Sequence, residues 1–171
     1  AMMRRQYFLV RPRRFGKSLL ISTFEALFSK GLKHFGGLAI QDIWREEQCY
    51  NVVRLDFSTI RYFDSVEAFT LQFEHLLDNA FGKYGFKPQR GEGRLIHLEV
   101  ARWLKTQPRQ SLVLLIDEYD APLTAVIDNP ELFKAVRRKL AAFYSVCKSN
   151  AEQLRFFFMT GITKFNQTED S

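Results

Sequence analysis

Residues 7–20 read YFLVRPRRFGKSLL: an apolar run, a basic turn, then Gly16-Lys17-Ser18 leading into leucines. Phosphate-binding loops are built this way. Glycine lets the backbone wrap an anion, and the first turn of the following helix offers N–H groups with no intrahelical acceptor. The match to G-x-x-x-x-G-K-[ST] is incomplete, because Arg11 stands where the first glycine belongs. Pro12 fixes its own φ and biases Arg11 toward extended geometry, so a stiffer loop replaces a flexible one. A G-K-S tripeptide alone is weak; it gains meaning only if a strand runs into it and a helix leaves it.

The flanks meet that requirement. Residues 6–10, QYFLV, have the aromatic and β-branched composition of a buried strand. After the loop, Leu20, Phe24, Leu27 and Phe28 recur at helical spacing, and Gly31 offers a stop. Residues 50–60, YNVVRLDFSTI, predict a second strand. Residues 65–86 predict a long amphipathic helix through Val66, Phe69, Phe73, Leu76, Leu77 and Ala80, and 94–105 another helix. Residues 111–120, SLVLLIDEYD, are the most strand-like in the chain. Asn129-Pro130 predicts the N-cap and first residue of a helix reaching about Cys147, and 154–162, LRFFFMTGI, a fourth strand. The order β-α-β-α-α-β-α-β, with nearly continuous apolar strands, predicts an α/β fold in three layers, a mostly parallel sheet between helices with right-handed crossovers. The loop at 85–94, GFKPQRGEGR, is too short to divide domains, so residues 1–171 read as one.

Composition agrees with a folded domain. The 171 residues are 46% hydrophobic and include 17 Phe, which exclude a disordered segment. The formal net charge is +6, and Arg4, Arg5, Arg11, Arg13, Arg14 and Lys17 concentrate part of the excess around the loop. That suits an anionic partner such as a nucleotide or nucleic acid, and equally a solvated basic surface. Cys49 and Cys147 lack C-x-x-C spacing, so neither a disulfide framework nor a zinc site is indicated. His34, His75 and His97 fall in separate segments without ligand spacing. No apolar run reaches the ~20 residues of a membrane span, and no signal-peptide pattern opens the chain. The expectation is a cytoplasmic protein without a membrane partner.

The candidate chemistry gathers at strand ends. Arg13, Arg14, Phe15, Gly16, Lys17, Ser18 and Leu19 form the expected nucleotide-binding stretch. Backbone N–H groups there would wrap the β-phosphate, Lys17 would reach the β/γ oxygens, and the Ser18 hydroxyl would meet Mg²⁺. Arg13 and Arg14 could neutralise transition-state charge, or bind acidic neighbours or nucleic acid. Asp117 and Glu118 end a buried strand where open α/β sheets bind ligands; Asp117 is the expected metal residue and Glu118 the general base. Thr160, at the end of another buried strand, could sense the γ-phosphate or hold the lytic water, although turn chemistry explains Thr160-Gly161 almost as well. Asp56 and Ser58 end the second strand on the same edge, with capping of the next turn slightly favoured.

Four segments, FLVRPRRFGKSLLISTFEALF, VVRLDFS, LVLLIDEYDAPL and FFFMTGITKF, together resemble the AAA-ATPase-like family of bacterial P-loop proteins, whose loop commonly reads R-P-R-R-F-G-K-[ST]. The resemblance covers nearly the whole chain and implies a P-loop NTPase-type fold, with Arg11 as a family feature. It assigns Gly16, Lys17 and Ser18 to phosphate and Mg²⁺, Asp117 and Glu118 to metal and water, and Thr160 to sensing. Members often end in a restriction-nuclease-like domain, which implies a nucleic-acid partner through that domain and leaves room for a homo-oligomer supplying an arginine in trans. On this comparison the chain is expected to be a truncated member. The favoured function is a Mg²⁺-dependent ATPase core acting as motor or switch. The alternative is a nucleotide- or nucleic-acid-binding module that does not hydrolyse.

Overall fold

The structure, a computed structural model, describes residues 6–9, 17–89, 91 and 93–161, with 6–9, Lys17 and Ser18 described by their backbone alone. The strands are β1 (Gln6–Leu9), β2 (Asn51–Asp56), β3 (Leu112–Asp117) and β4 (Leu154–Thr160). The helices are α1 (Lys17–Lys30), α2 (Ile40–Ile43), α3 (Val66–Gly82), α4 (Ile96–Lys105), α5 (Ala121–Ala125) and α6 (Pro130–Ser149). The order is the expected one with α2 and α5 added. Those two span 4 and 5 residues, too few for a helical period to declare itself.

Local signals set several boundaries. Gly31 follows α1 at φ +65°, a left-handed conformation that costs glycine little. Ser65 caps α3 by accepting from the Ala68 N–H at 3.1 Å. Asn129 caps α6 by accepting from the Leu132 N–H at 3.2 Å, with Pro130 as first helical residue.

The strands lie in the order β1-β4-β3-β2, and every pairing is parallel. The first crossover, through α1, spans the whole sheet from β1 to β2. The next two step back through β3 to β4. A reversal of direction keeps one hand of crossover only if the connecting helices change face, as they do here. Helices α3, α4, α5 and α6 bury Phe69, Phe73, Leu77, Val100, Leu123 and Phe143 against one face. Helix α1 covers the other, packing Ile21 and Phe28 against Val52, Val113, Leu115, Phe156 and Phe158. The expected α/β architecture is therefore present, a parallel sheet flanked by helices.

The α1 face is closed at its lower end by Arg155. The register steps from Leu112↔Leu154 to Val113↔Phe156, so Arg155 is an extra residue that interrupts alternation. Its guanidinium donates to the Glu46 carboxylate, from Nε at 2.9 Å and from Nη2, and lies 5.8 Å from the Phe28 ring centre. Tyr50 donates its hydroxyl to the same carboxylate at 2.5 Å. These contacts fasten residues 44–50 beside the sheet. Among the described residues no helix is long and apolar enough to cross a membrane.

Candidate functional site

Side chains alternate across a strand, so the residues facing α1 identify those further along on the same face. On β3, Val113 and Leu115 face α1, and Asp117 follows two positions on. On β4, Phe156 and Phe158 face α1, and Thr160 follows. On β2, Val52 faces α1 and Arg54 reaches that helix, donating to Glu25 Oε2 at 2.9 Å and Ser22 Oγ at 3.1 Å; Asp56 follows. Three adjacent strands thus end in Asp56, Asp117 and Thr160, on the face of the helix that begins at Lys17-Ser18. Asp56 pairs in register with Asp117, and Leu9 of β1 with Thr160. The carboxyl edge is where open parallel sheets bind ligands, because strand ends and helix N-termini meet there.

Two of the three are deeply placed: Asp117 is 4% exposed and Thr160 0%. Burial of a carboxylate demands hydrogen bonds. Thr160 Oγ1 donates its proton to Asp117 Oδ1 at 2.7 Å and accepts the Glu118 N–H at 3.1 Å. The Tyr119 N–H adds a bond to the Thr160 carbonyl at 3.1 Å. One threonine therefore links the metal candidate to the base candidate across neighbouring strands. Since its single proton is directed at Asp117, any further contact by that hydroxyl would use a lone pair.

Glu118 is half-buried, and its backbone sits at φ +48°. A non-glycine residue pays for that conformation, which persists only where surroundings hold it. The reason lies in the alternation. An extended residue 118 would project to the side of Phe57 and Phe143, which is apolar core. The left-handed turn ends the strand at Asp117 and releases the glutamate from that side. Tyr119 takes the buried position instead: its ring meets Phe57 edge-on at 4.9 Å, and its hydroxyl donates to the Leu140 carbonyl in α6. Burial pushes that phenol well above its ordinary pKa, so it remains a neutral donor.

Asp56 takes the capping part of its two readings. Its Oδ1 accepts from the Ser58 N–H at 3.0 Å and the Ser58 hydroxyl at 2.6 Å, turning the chain into the short 3₁₀ segment Phe57–Thr59. Leu19 stands in the first turn of α1 and is 73% exposed, as a residue at a ligand edge can be. Lys17 and Ser18 open that helix. Arg11, Arg13, Arg14, Phe15 and Gly16 lie outside the described residues, as do residues 162–171. Tyr119 contributes to this edge with no local signal beyond being an aromatic residue directly after an acidic strand end, and Gly161, legible in the sequence as turn chemistry, adds a close approach to residues 118–120 that no period reveals.

The family profile described as "Predicted AAA-ATPase" matches residues 1–169. The chain is also similar to an "Uncharacterized protein in vnfD 5'region" of Azotobacter chroococcum mcd 1, 32% identical over 163 residues, which are 94% of this chain and 31% of that relative. This chain thus spans about a third of the relative's length. No solved structure matches it significantly. With the profile covering all but the last two residues, and a strand, a helix and a buried acidic strand end in the expected succession, the chain belongs to the AAA-ATPase-like family.

Proposed function

We propose that residues 1–171 are a P-loop NTPase-type domain that binds ATP with Mg²⁺ and hydrolyses it. The observation that carries this reading is the convergence of Asp117, Glu118 and Thr160, joined through one hydroxyl that donates to Asp117 and accepts the Glu118 N–H, at the edge where β1 leads toward the N-terminus of α1. The first turn of α1 would supply N–H groups and partial positive charge to phosphate, and Lys17 a flexible cation for the β/γ oxygens. Arg13 to Leu19 are the proposed nucleotide contacts.

The donor chemistry fits Mg²⁺. A carboxylate at Asp117 and a hydroxyl at Ser18 are hard oxygen ligands, with room in an octahedral shell for water and phosphate oxygens. When bound, the ion would neutralise charge shared by the β- and γ-phosphates. Thr160 fixes the orientation of Asp117, as a partner behind a ligand does. Glu118 would accept a proton from the attacking water, and its held backbone fixes the point from which the side chain reaches.

Binding and chemistry separate in one experiment. Lys17→Ala should lose most of its affinity for a fluorescent ATP analogue in Mg²⁺ buffer. Glu118→Gln should keep that affinity while phosphate release stops, since the amide preserves shape and cannot accept a proton. Equal affinities for wild type and Lys17→Ala would sink the phosphate site. Tight binding with no turnover in the wild type would leave a binding module.

A further inference from the structure

We propose that Gly161 is a positioning residue for Glu118: the bare backbone at this point lets the end of β4 close onto the 118–120 turn and hold the glutamate in its left-handed conformation. The inference rests on the reading of Glu118 as the general base.

The observations are geometric. A Cβ at Gly161 would lie 2.5 Å from Asp120 Oδ1, 2.9 Å from Glu118 Cα and 3.1 Å from Tyr119 N. Two of those atoms are backbone, so they cannot swing aside as a side-chain tip can. Gly161 also has φ +75°, which L side chains rarely adopt. It therefore satisfies two separate demands, a left-handed turn and a close approach.

The approach matters because of what is held there. Glu118 at φ +48° would relax toward extended backbone if released. Its N–H is held by Thr160 Oγ1, the next N–H by the Thr160 carbonyl, and its own carbonyl accepts from the Ala121 N–H at 3.0 Å. Two of these three bonds come from the residue just before Gly161. They keep their lengths only if the chain turns away immediately after Thr160 without a side chain between the segments. A larger residue at 161 must push Glu118 and Tyr119 away from Thr160. Tyr119 is itself anchored through its hydroxyl to Leu140, so the displacement falls on Glu118.

The test compares Gly161→Ala and Gly161→Asn with wild type and Glu118→Gln, measuring ATP affinity and single-turnover hydrolysis in Mg²⁺ buffer. Asparagine tolerates positive φ but still carries a Cβ, so it isolates close approach from backbone strain. Both variants should retain ATP affinity within about twofold and lose hydrolysis by about 10²-fold, the penalty of misplacing a reacting group by an ångström. Adding Glu118→Gln to Gly161→Ala should then reduce the rate little further, because residues acting as a unit are not additive. If Gly161→Ala fails to fold, Thr160→Val and Thr160→Ser decide. Valine removes both hydroxyl bonds and should lose hydrolysis, whereas serine keeps them and should restore it. Unchanged hydrolysis in Gly161→Ala and Gly161→Asn, the same loss from Glu118→Gln with and without Gly161→Ala, or equal rates for Thr160→Val and Thr160→Ser would overturn the inference. Turnover indifferent to Glu118→Gln in the wild-type background would instead overturn the assignment of the base, and this inference with it.

Discussion

The two faces of the sheet are made by the same strands and do different work. On the side of α3, α4 and α6, β2, β3 and β4 remain apolar to their ends: Leu55, Ile116 and Met159 are all fully buried. On the α1 side the pattern starts alike, with Val52, Val113 and Phe156, and finishes in Asp56, Asp117 and Thr160. One face is a core throughout. The other is a core at its base and a polar site at its carboxyl edge. Because alternation has a period of two, a strand can supply both without compromise, and a polar residue placed last on one face leaves the opposite face intact.

The contrast is broken most severely from the thicker side. Phe143 is fully buried, with Phe73 edge-on at 5.6 Å and Phe57 at 6.5 Å. Phe143→Ala should lose about 3–5 kcal/mol, the transfer term plus the unfilled cavity. Phe28→Ala, on the face covered by α1, should fall near the lower end, about 3 kcal/mol, because a cover of one principal helix can settle inward more easily. Urea unfolding of both variants would check the order; a larger loss for Phe28→Ala would reverse the assignment of the thicker core.

A smaller effect is expected where the site touches that core. Tyr119→Phe keeps the ring against Phe57 and removes only the hydroxyl that reaches Leu140, so stability should drop by about 1 kcal/mol. Thermal unfolding would register it, and no change would mean that the bond contributes nothing net.

The smallest effect should be present near neutrality and vanish in acid, at the base of the α1 face. Burial pushes the Glu46 carboxyl up, but hydrogen bonds from Arg155 and Tyr50 and the Arg155 charge outweigh it and leave the group below its ordinary 4.5. A depressed carboxyl contributes stability that is fully present above the unfolded value and is lost as pH falls through the folded one. Glu46→Gln should therefore lose about 0.5–1 kcal/mol near neutrality and converge on wild type below 4.5. A difference that grows on acidification would contradict the sign.

The local elements were legible because their causes are local. A 3.6-residue period marked α1, α3, α4 and α6, and Asn129, Pro130 and Gly31 marked ends through a hydrogen bond or φ values reaching no more than a turn away. Apolar runs marked the strands, and the acid at position 117 could be placed at a strand end from spacing alone. The family resemblance rested on the same short segments. What spacing could not reach was lateral order, since nothing in β3 or β4 taken singly says that they are neighbours. That is decided by which face each crossover helix can cover, a property of the assembled layers. The pairing of β3 with β4 brings Thr160 to Asp117 across 43 positions, gives Glu118 its hydrogen bond, and makes a glycine necessary at 161. The sequence by itself determined the elements and the residue types at their ends; the tertiary structure decided which of those ends meet, because contact between distant segments depends on packing that no local period encodes.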